Sequence, residues 1–239
     1  MPELLRVSGK DLGSMAVADF CPRCFWAKRR APSGLPFQVF PGIFSSIDSF
    51  TKKVVHQWFD QIGAPAWLGS LGPLTGYVEP PHYSKFQHRD AATGVLLTGA
   101  PDAIFTKGDG SLVIADYKTA KFTAGQDHLL PMYQVQLTAY AYLASALDWP
   151  RVDSIALIYA EPMTEPHDAA PTSSGRDHGF VLPFRATVHM LDLDLARIPP
   201  LLADFRHLVK LDQAPQGVPG CKECPKLDGL VGLMTDGRG

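Results

Sequence analysis

The stretch "GAPDAIFTKGDGSLVIADYKTAKF", which runs from Gly99 to Phe122, is the most informative part of the chain. Its segment KGDGS, at 107–111, separates two apolar runs and is typical of the tight turn of a β-hairpin. Asp102 belongs to the first run, and Asp-Tyr-Lys ends the second at Lys118. The stretch therefore predicts two antiparallel strands with charged side chains gathered near one end.

Strand geometry predicts which of these side chains meet. Because side chains alternate between the two faces of a strand, Asp116 and Lys118 are expected on the same face. The turn places the two strands side by side, so Asp102 can approach Asp116 across the pair. Pro101 cannot donate a ladder hydrogen bond, and the first strand is therefore expected to bend or to lie at an edge there.

Two converging carboxylates indicate a metal site. They repel each other, and both stay ionised most easily when a divalent cation lies between them; hard oxygen ligands suit Mg²⁺ or Mn²⁺. The backbone carbonyl of Tyr117 would add a ligand. Lys118 would orient or deprotonate a water, or offset charge in a phosphoryl transition state. The alternative is a solvated Asp–Lys pair, because D-x-K alone occurs by chance, but the full strand–turn–strand pattern favours phosphodiester hydrolysis.

The motif Pro-Asp followed by Asp-Tyr-Lys resembles the signature of the PD-(D/E)xK phosphodiesterase superfamily. Downstream, "YQVQLTAYAYL" resembles the Q-x-x-x-Y element of the RecB-like nucleases, matched by Gln136 and Tyr140. These two residues are at i and i+4 and share one helix face. The resemblance implies that they contact the DNA strand or support the catalytic lysine. The alternative is that the tyrosines are core aromatics, which we favour for Tyr133.

The first long helix is expected in "SSIDSFTKKVVHQWFDQIG", capped by Ser45 or Ser46 and stopped by Gly63. The resemblance implies a metal ligand on this helix, because the family takes an acid or a histidine from its first core helix. His56 is the candidate for that third ligand, since the iron–sulfur exonucleases of the family place a histidine there. Asp48 is the alternative.

The cysteines form two C-x-x-C pairs, one near each end of the sequence. They are Cys21, Cys24, Cys221 and Cys224. Two such pairs complete a tetrahedral set and predict a metal centre that joins the two ends. Disulfides are disfavoured in the cytosolic setting expected for this chain. A redox motif would lack the strand that precedes it and would leave the second pair unexplained. Zinc and a [4Fe–4S] cluster both fit four cysteines.

The segments "CPRCFW" and "CKECP" resemble the cysteine segments of the CRISPR-associated RecB-like exonucleases, which hold a [4Fe–4S] cluster. The resemblance implies that this cluster is the cofactor, with Zn²⁺ as the alternative. The sequence departs from the family in one respect. Those proteins take one cysteine from the front of the domain and three from the back, whereas this chain divides them two and two.

Composition limits the class of protein. The chain has 239 residues, of which 46% are apolar and 19% charged, with a formal net charge of −2. These values are typical of a globular protein and do not by themselves indicate a nucleic-acid partner. No apolar run reaches the length of a membrane span, and the N-terminal residues lack the pattern of a secretory signal. A cytoplasmic protein without membrane contact is expected.

Together these features predict an α/β fold with a restriction-endonuclease-like core, in which a mixed sheet of about five strands is flanked by helices. Residues 1–239 are expected to form a single RecB-like nuclease domain. Strands are expected at 94–106, 112–118 and 152–161, and helices at 46–62, 128–147 and 194–211.

The expected function is metal-dependent DNA cleavage by an exonuclease that acts on single-stranded ends. The alternatives are a non-catalytic nucleic-acid-binding module that keeps the fold and the metal clamp, and a phosphodiesterase for RNA or a small nucleotide. Repair, CRISPR adaptation and defence against mobile elements are all open as the pathway.

Overall fold

The computed structural model describes residues 5–31, 41–123, 128–170 and 174–236, with side chains up to residue 232. The strands are β1 (Arg6–Ser8), β2 (Leu74–Val78), β3 (Gln87–Arg89), β4 (Leu96–Thr98), β5 (Ala103–Lys107), β6 (Leu112–Lys118), β7 (Val152–Pro162), β8 (Gly175–Arg176), β9 (Gly179–Phe180) and β10 (Phe184–Leu191). The α-helices are α1 (Gly9–Gly13), α2 (Pro22–Arg30), α3 (Gly42–Gln61), α4 (Leu130–Ala146), α5 (Ile198–Val209) and α6 (Cys224–Asp236).

The central sheet has five strands in the order β10-β7-β6-β5-β2. Strands β6 and β7 are parallel, and the other neighbouring pairs are antiparallel. The predicted hairpin is present, since Ala103 faces Ala115 and Ile104 faces Ile114 across β5 and β6. Helix α4 connects the parallel strands β6 and β7, as such a crossover requires. The predicted mixed five-stranded sheet flanked by helices is confirmed.

The expected single strand at 94–106 is wrong, because the structure divides it into β4 and β5. Strand β4 pairs with β1 and β3 in a separate three-stranded sheet, whereas β5 belongs to the central sheet. The chain leaves the ladder between them, where Pro101 has no N–H to donate. The bend expected at Pro101 is confirmed, and it places Asp102 in the connection just before β5.

The two faces of the central sheet bury separate apolar cores. One face packs against α4 and α5, and its core includes Ile114 of β6 and Leu157 of β7. The other face packs against α3 and a 3₁₀ turn at Ala66–Leu71, and its core includes Val113 and Ala115 of β6. The alternation of β6 side chains therefore follows the predicted pattern, with Asp116 on the α4 side.

Helix α3 begins earlier than expected. It starts at Gly42 after Pro41, so Ser45 and Ser46 lie inside the helix and the predicted serine cap is wrong. The end is as expected: the N–H of Gly63 donates to the carbonyl of Trp58, and Gly63 adopts a φ of +120° that favours glycine. Helix α4 starts at Leu130 and carries Pro131 in its first turn, where proline is tolerated.

The segment before α3 packs against β4, α4 and the end of α5. Strand β1 pairs in parallel with β4, and α1 packs on α4 so closely that a Cβ at Gly13 would lie 2.4 Å from the carbonyl oxygen of Met132. Arg30, at the end of α2, donates to the carbonyls of Val209 and Leu211 beyond α5. In the described part of the chain, no helix has the length and apolar character needed to cross a bilayer.

Candidate functional site

Asp116 is a buried carboxylate at the end of β6, with 4% of its surface exposed. Its Oδ1 accepts a hydrogen bond from Gln136 Nε2 at 3.0 Å, and its Oδ2 forms an ion pair with the ammonium of Lys118. Burial raises the pKa of Asp116 to about 6, because the repulsion from Asp102 adds to desolvation while the attraction to Lys118 opposes it. The structure thus brings the two acids and the lysine of the motif together.

Asp102 is tied to β6 by a backbone hydrogen bond. Its Oδ2 accepts from the N–H of Tyr117 at 3.1 Å, and its Oδ1 accepts from Lys52 Nζ at 2.9 Å. Lys52 also pairs with Asp48 at 2.9 Å. Burial alone would lower the pKa of Lys52, but the carboxylates of Asp102 and Asp48 outweigh it and raise the value.

Gln136 and Tyr140 lie behind Asp116 rather than at the surface. Gln136 Nε2 donates to the hydroxyl oxygen of Tyr140 at 3.1 Å as well as to Asp116, and both side chains are buried. The Q-x-x-x-Y pair therefore orients the carboxylate of Asp116. Gln136 Oε1 is buried and has no hydrogen-bond partner among the described residues.

Tyr133, assigned to the core from sequence, is partly buried and packs against the core on the α4 side, and it also contacts the motif lysine. The ammonium of Lys118 lies 4.2 Å from the centre of the Tyr133 ring, a distance suited to a cation–π interaction. The signal that could have indicated this was its spacing, since Tyr133 precedes Gln136 by three residues and shares its helix face.

His56 lies on the same side as Asp102 but has other neighbours. Its Nδ1 is 3.3 Å from Glu79 Oε1, and its ring stacks on Tyr77 at 4.0 Å. An open groove of about 390 Å³ includes His56, Asp102 and Glu79 in its lining. Among the described residues, only the cysteines form a group of three or more metal-binding donors within 4.8 Å of one another, so His56, Asp102 and Asp116 do not converge that closely.

The pair Asp102 and Asp116 nonetheless fits a hard divalent cation. Both supply carboxylate oxygens, and the raised pKa of Asp116, which is due first to burial and to a smaller extent to Asp102, shows that its negative charge lacks full compensation where only ammonium groups balance it. Those ammonium groups belong to Lys52 and Lys118. Lys52 and Glu79 were not predicted as part of the site: Lys52 lies on the same polar stripe of α3 as His56, whereas no sequence pattern marked Glu79.

The cysteine cluster joins the starts of two helices. Cys21 precedes α2, Cys24 lies in its first turn, Cys224 opens α6, and Cys221 precedes it. All four are free thiols with sulfur atoms within 4.8 Å of one another. Burial acts to raise the pKa of Cys21, but backbone hydrogen bonds from Cys24 and Val218 and the neighbouring thiols lower it to about 6. Burial and the same neighbours raise the pKa of Cys24.

A model of the PD-(D/E)XK nuclease superfamily matches residues 48–226. The chain belongs to this superfamily. The matched region contains the two acids, Lys118, Gln136 and the C-terminal cysteine pair, whereas Cys21 and Cys24 lie before it. A solved structure titled "Crystal structure of SSO0001" is similar over 90% of this chain and 81% of its own, with 16% sequence identity and a TM-score of 0.43. No curated protein matches the chain.

Membership in the PD-(D/E)XK superfamily indicates a metal-dependent nuclease in general, with a nucleic acid as substrate. The predicted superfamily is therefore confirmed, together with a four-cysteine group that is placed to bind a metal.

Proposed function

We propose that this chain is a divalent-metal-dependent DNA nuclease that acts as an exonuclease on single-stranded ends. The observation that carries the proposal is the meeting of Asp102, Asp116 and Lys118 at one end of the β5–β6 hairpin in a PD-(D/E)XK nuclease. This is the arrangement from which the superfamily signature takes its name.

Asp102 and Asp116 would hold Mg²⁺ or Mn²⁺, and the further ligands we propose are His56, with Asp48 as its alternative, and the backbone carbonyl of Tyr117. When bound, the ion supplies Lewis-acid activation of a phosphodiester and of its attacking water.

The protein groups supply orientation and charge. Gln136, held by Tyr140, fixes the rotamer of Asp116 through the hydrogen bond at 3.0 Å. Lys118, placed between Asp116 and the ring of Tyr133, presents N–H donors to the attacking water or to a phosphate oxygen. Gln136 and Lys118 can act in this way because both lie on the α4 face of the sheet, where packing holds the side chains in place.

Single-stranded DNA is favoured by the surface of α3 next to the groove. Phe50 is 66% exposed and, with Lys53, lines a second shallow groove of about 460 Å³. This groove shares Ser49 and Lys53 with the groove of about 390 Å³ that contains Asp102. An exposed aromatic ring beside a lysine can stack a base and neutralise its phosphate. Replacing Phe50 with Ala should weaken single-strand binding more than replacing Phe180, which is 82% exposed on β9.

The alternative function, a non-catalytic nucleic-acid-binding module, is favoured by one contact. Lys52 Nζ already neutralises Asp102 Oδ1 at 2.9 Å, as it would in a site that never takes a cation. A metal titration separates the two functions, since only a nuclease needs Mg²⁺ or Mn²⁺ for turnover, whereas a binding module retains DNA equally well in chelator.

The central test is cleavage of end-labelled linear and circular single strands, and of duplex ends, in Mg²⁺ or Mn²⁺. We expect wild type to shorten linear strands from an end and to leave circles intact. Asp116→Asn and Lys118→Ala should each lose at least about a hundredfold in rate. Lys10→Ala, which removes an exposed lysine on α1, is the matched control.

Circular dichroism must show that each variant is folded. Wild-type cleavage rates in either site variant would refute the site, and cleavage of circles would refute the exonuclease mode while leaving the nuclease.

We further propose that residues 1–239 form one RecB-like nuclease domain, with the front and back cysteine segments completing a single metal subsite, and that the protein acts in the cytoplasm. The contacts of α1 with α4 and of Arg30 with the end of α5 support one folding unit.

A further inference from the structure

The geometry of the cysteine cluster points to a single zinc ion, not to the [4Fe–4S] cluster that the family resemblance implies. The four sulfur atoms of Cys21, Cys24, Cys221 and Cys224 stand too close together for a four-iron cluster. The proposal concerns only these cysteines and is independent of the nuclease site.

The sulfur spacing is that of a tetrahedron around one ion. The Sγ atoms of Cys21 and Cys224 are 3.6 Å apart, those of Cys24 and Cys224 also 3.6 Å, and those of Cys24 and Cys221 3.7 Å. Four thiolates bound tetrahedrally at about 2.3 Å from Zn²⁺ have edges of about 3.8 Å. In a four-iron cluster each thiolate binds a different iron at a separate corner of a cube, so its sulfur atoms stand much farther apart.

The pattern of short contacts also excludes a two-iron cluster. Such a cluster binds two thiolates on each iron, so it has two separate close pairs of sulfurs. Here the short contacts run without a break from Cys21 to Cys224, on to Cys24 and then to Cys221. Each contact joins a front cysteine to a back one, so one central ion is the arrangement that all four reach.

The surroundings hold the sulfurs in this compact form and place positive charge beside them. A Cβ at Gly217 would lie only 2.6 Å from Cys224 Sγ, so the backbone there closes one side of the cluster. Helices α2 and α6 both begin at the cluster, and the positive ends of their dipoles stabilise thiolates. Arg23, whose guanidinium pairs with Asp228, also lies beside Cys224.

A cavity of about 790 Å³ lies next to Cys21, Cys24 and Cys221. Space beside the sulfurs therefore does not decide between the two metal centres, whereas their mutual distances do. Zinc rather than a lone iron is favoured because a closed all-thiolate site that ties helices together is the typical structural zinc site.

The test is the metal content of the full chain, purified without oxygen and then dialysed against a mild chelator that strips the carboxylate site. We expect about one zinc per chain, no acid-labile sulfide and no visible absorption. A thiol-specific mercurial should release that zinc in proportion to the thiols modified, a result that needs no variant to fold.

Cys224→Ser should lose the zinc, whereas Asp102→Asn should retain it, which separates this centre from the carboxylate site. Brown protein with iron and sulfide, a single iron without sulfide, or protein without bound metal would each refute zinc. None of these outcomes depends on cleavage activity. The zinc proposal can therefore be refuted while the proposed nuclease function holds, and the nuclease function can be refuted while the zinc proposal holds.

Discussion

Asp116 is buried, and the groups around it balance its negative charge only in part. This predicts a free energy of unfolding that falls as the pH rises. Its pKa is raised from 3.8 to about 6 by burial and by Asp102. The folded protein thus holds this proton more tightly than the unfolded chain does. The stabilisation is fully present below about pH 4 and is lost as the pH rises through about 6, an effect on the order of 3 kcal/mol at about 1.4 kcal/mol per pKa unit.

Asp116→Asn should therefore stabilise the protein in chelator at pH 8, by up to about 3 kcal/mol, and should give no such gain at pH 4. Urea unfolding at both pH values measures the difference. Asp204→Asn, which removes an exposed carboxylate on α5, is the matched control. A gain of equal size at both pH values would show that ionisation of Asp116 is not its cause.

The position of Lys52 predicts that this lysine weakens metal binding at the carboxylate site. Its ammonium contacts Asp102 Oδ1 at 2.9 Å, so it competes with any cation for that oxygen. Lys52→Gln should lower the Kd for Mn²⁺, measured by calorimetry, by about tenfold at low salt, and the gain should shrink as salt screens the charge. Lys53→Gln, on an exposed neighbouring position, is the control. Weaker Mn²⁺ binding in Lys52→Gln would mean that the lysine assists the ion instead.

The sequence predicted the residues of the site that a local pattern or the Q-x-x-x-Y resemblance marks, and it missed those that neither marks. Asp102, Asp116 and Lys118 belong to one hairpin, so the turn and the alternation of side chains were sufficient to bring them together. Glu79, which follows β2, and Lys52, on α3, reach the same groove. Their positions depend on how those elements pack on the sheet, and local patterns carry no information about that packing.

At the scale of elements, Gly99 is the point where β4 meets α4. A Cβ at Gly99 would lie 2.8 Å from side-chain carbons of Leu143, Phe86 and Tyr140. The absence of a side chain at Gly99 therefore lets α4 and the ring of Phe86 approach the backbone closely. Because Tyr140 holds Gln136 and Gln136 holds Asp116, a change at Gly99 reaches the candidate site through α4.

Gly99→Ala should lower the free energy of unfolding by about 1–3 kcal/mol, the usual range for overpacking a core. It should also reduce cleavage without touching a charged group. Thermal unfolding and the linear-strand assay measure the two effects. Gly69→Ala, in the 3₁₀ turn with open space around it, should change neither. Wild-type stability in Gly99→Ala would mean that β4 and α4 can separate without loss.

Element types and approximate boundaries were predictable where the apolar pattern was long. Helix α4 and strands β6 and β7 lie within a few residues of their expected limits, since each is buried along most of its length. The division of 94–106 into two sheets escaped prediction because β4 is three residues long and pairs with β1, which is equally short. Pairing between such distant short segments leaves no periodic signal.

At the scale of the whole molecule, helix α2 in the N-terminal part of the chain holds the C-terminal part at two places. Trp26 Nε1 donates to the carbonyl of Leu211 at 3.0 Å, and Arg30 contacts the same carbonyl, which anchors the chain where α5 ends. Beyond that point the next strong attachment is the cysteine cluster, supported by an ion pair between Arg23 and Asp228. Residues 212–220 between the two anchors are mostly exposed.

This arrangement predicts that the cysteine metal fastens the C-terminal segment without holding the central sheet together. The sheet buries apolar cores on both faces, whereas the segment after Leu211 depends on the thiolates and on an exposed ion pair that contributes little. Removing the metal with a strong chelator should speed trypsin cleavage after Lys222 and Lys226, both exposed, by at least about tenfold. Hydrogen exchange in β5, β6 and β7 should stay slow, because their opening requires loss of the cores.

Adding the metal back should restore resistance to trypsin. Equal cleavage rates with and without metal would mean that α6 stays packed on α2 by its own contacts, and loss of protection in the sheet would mean that the cluster stabilises the whole fold.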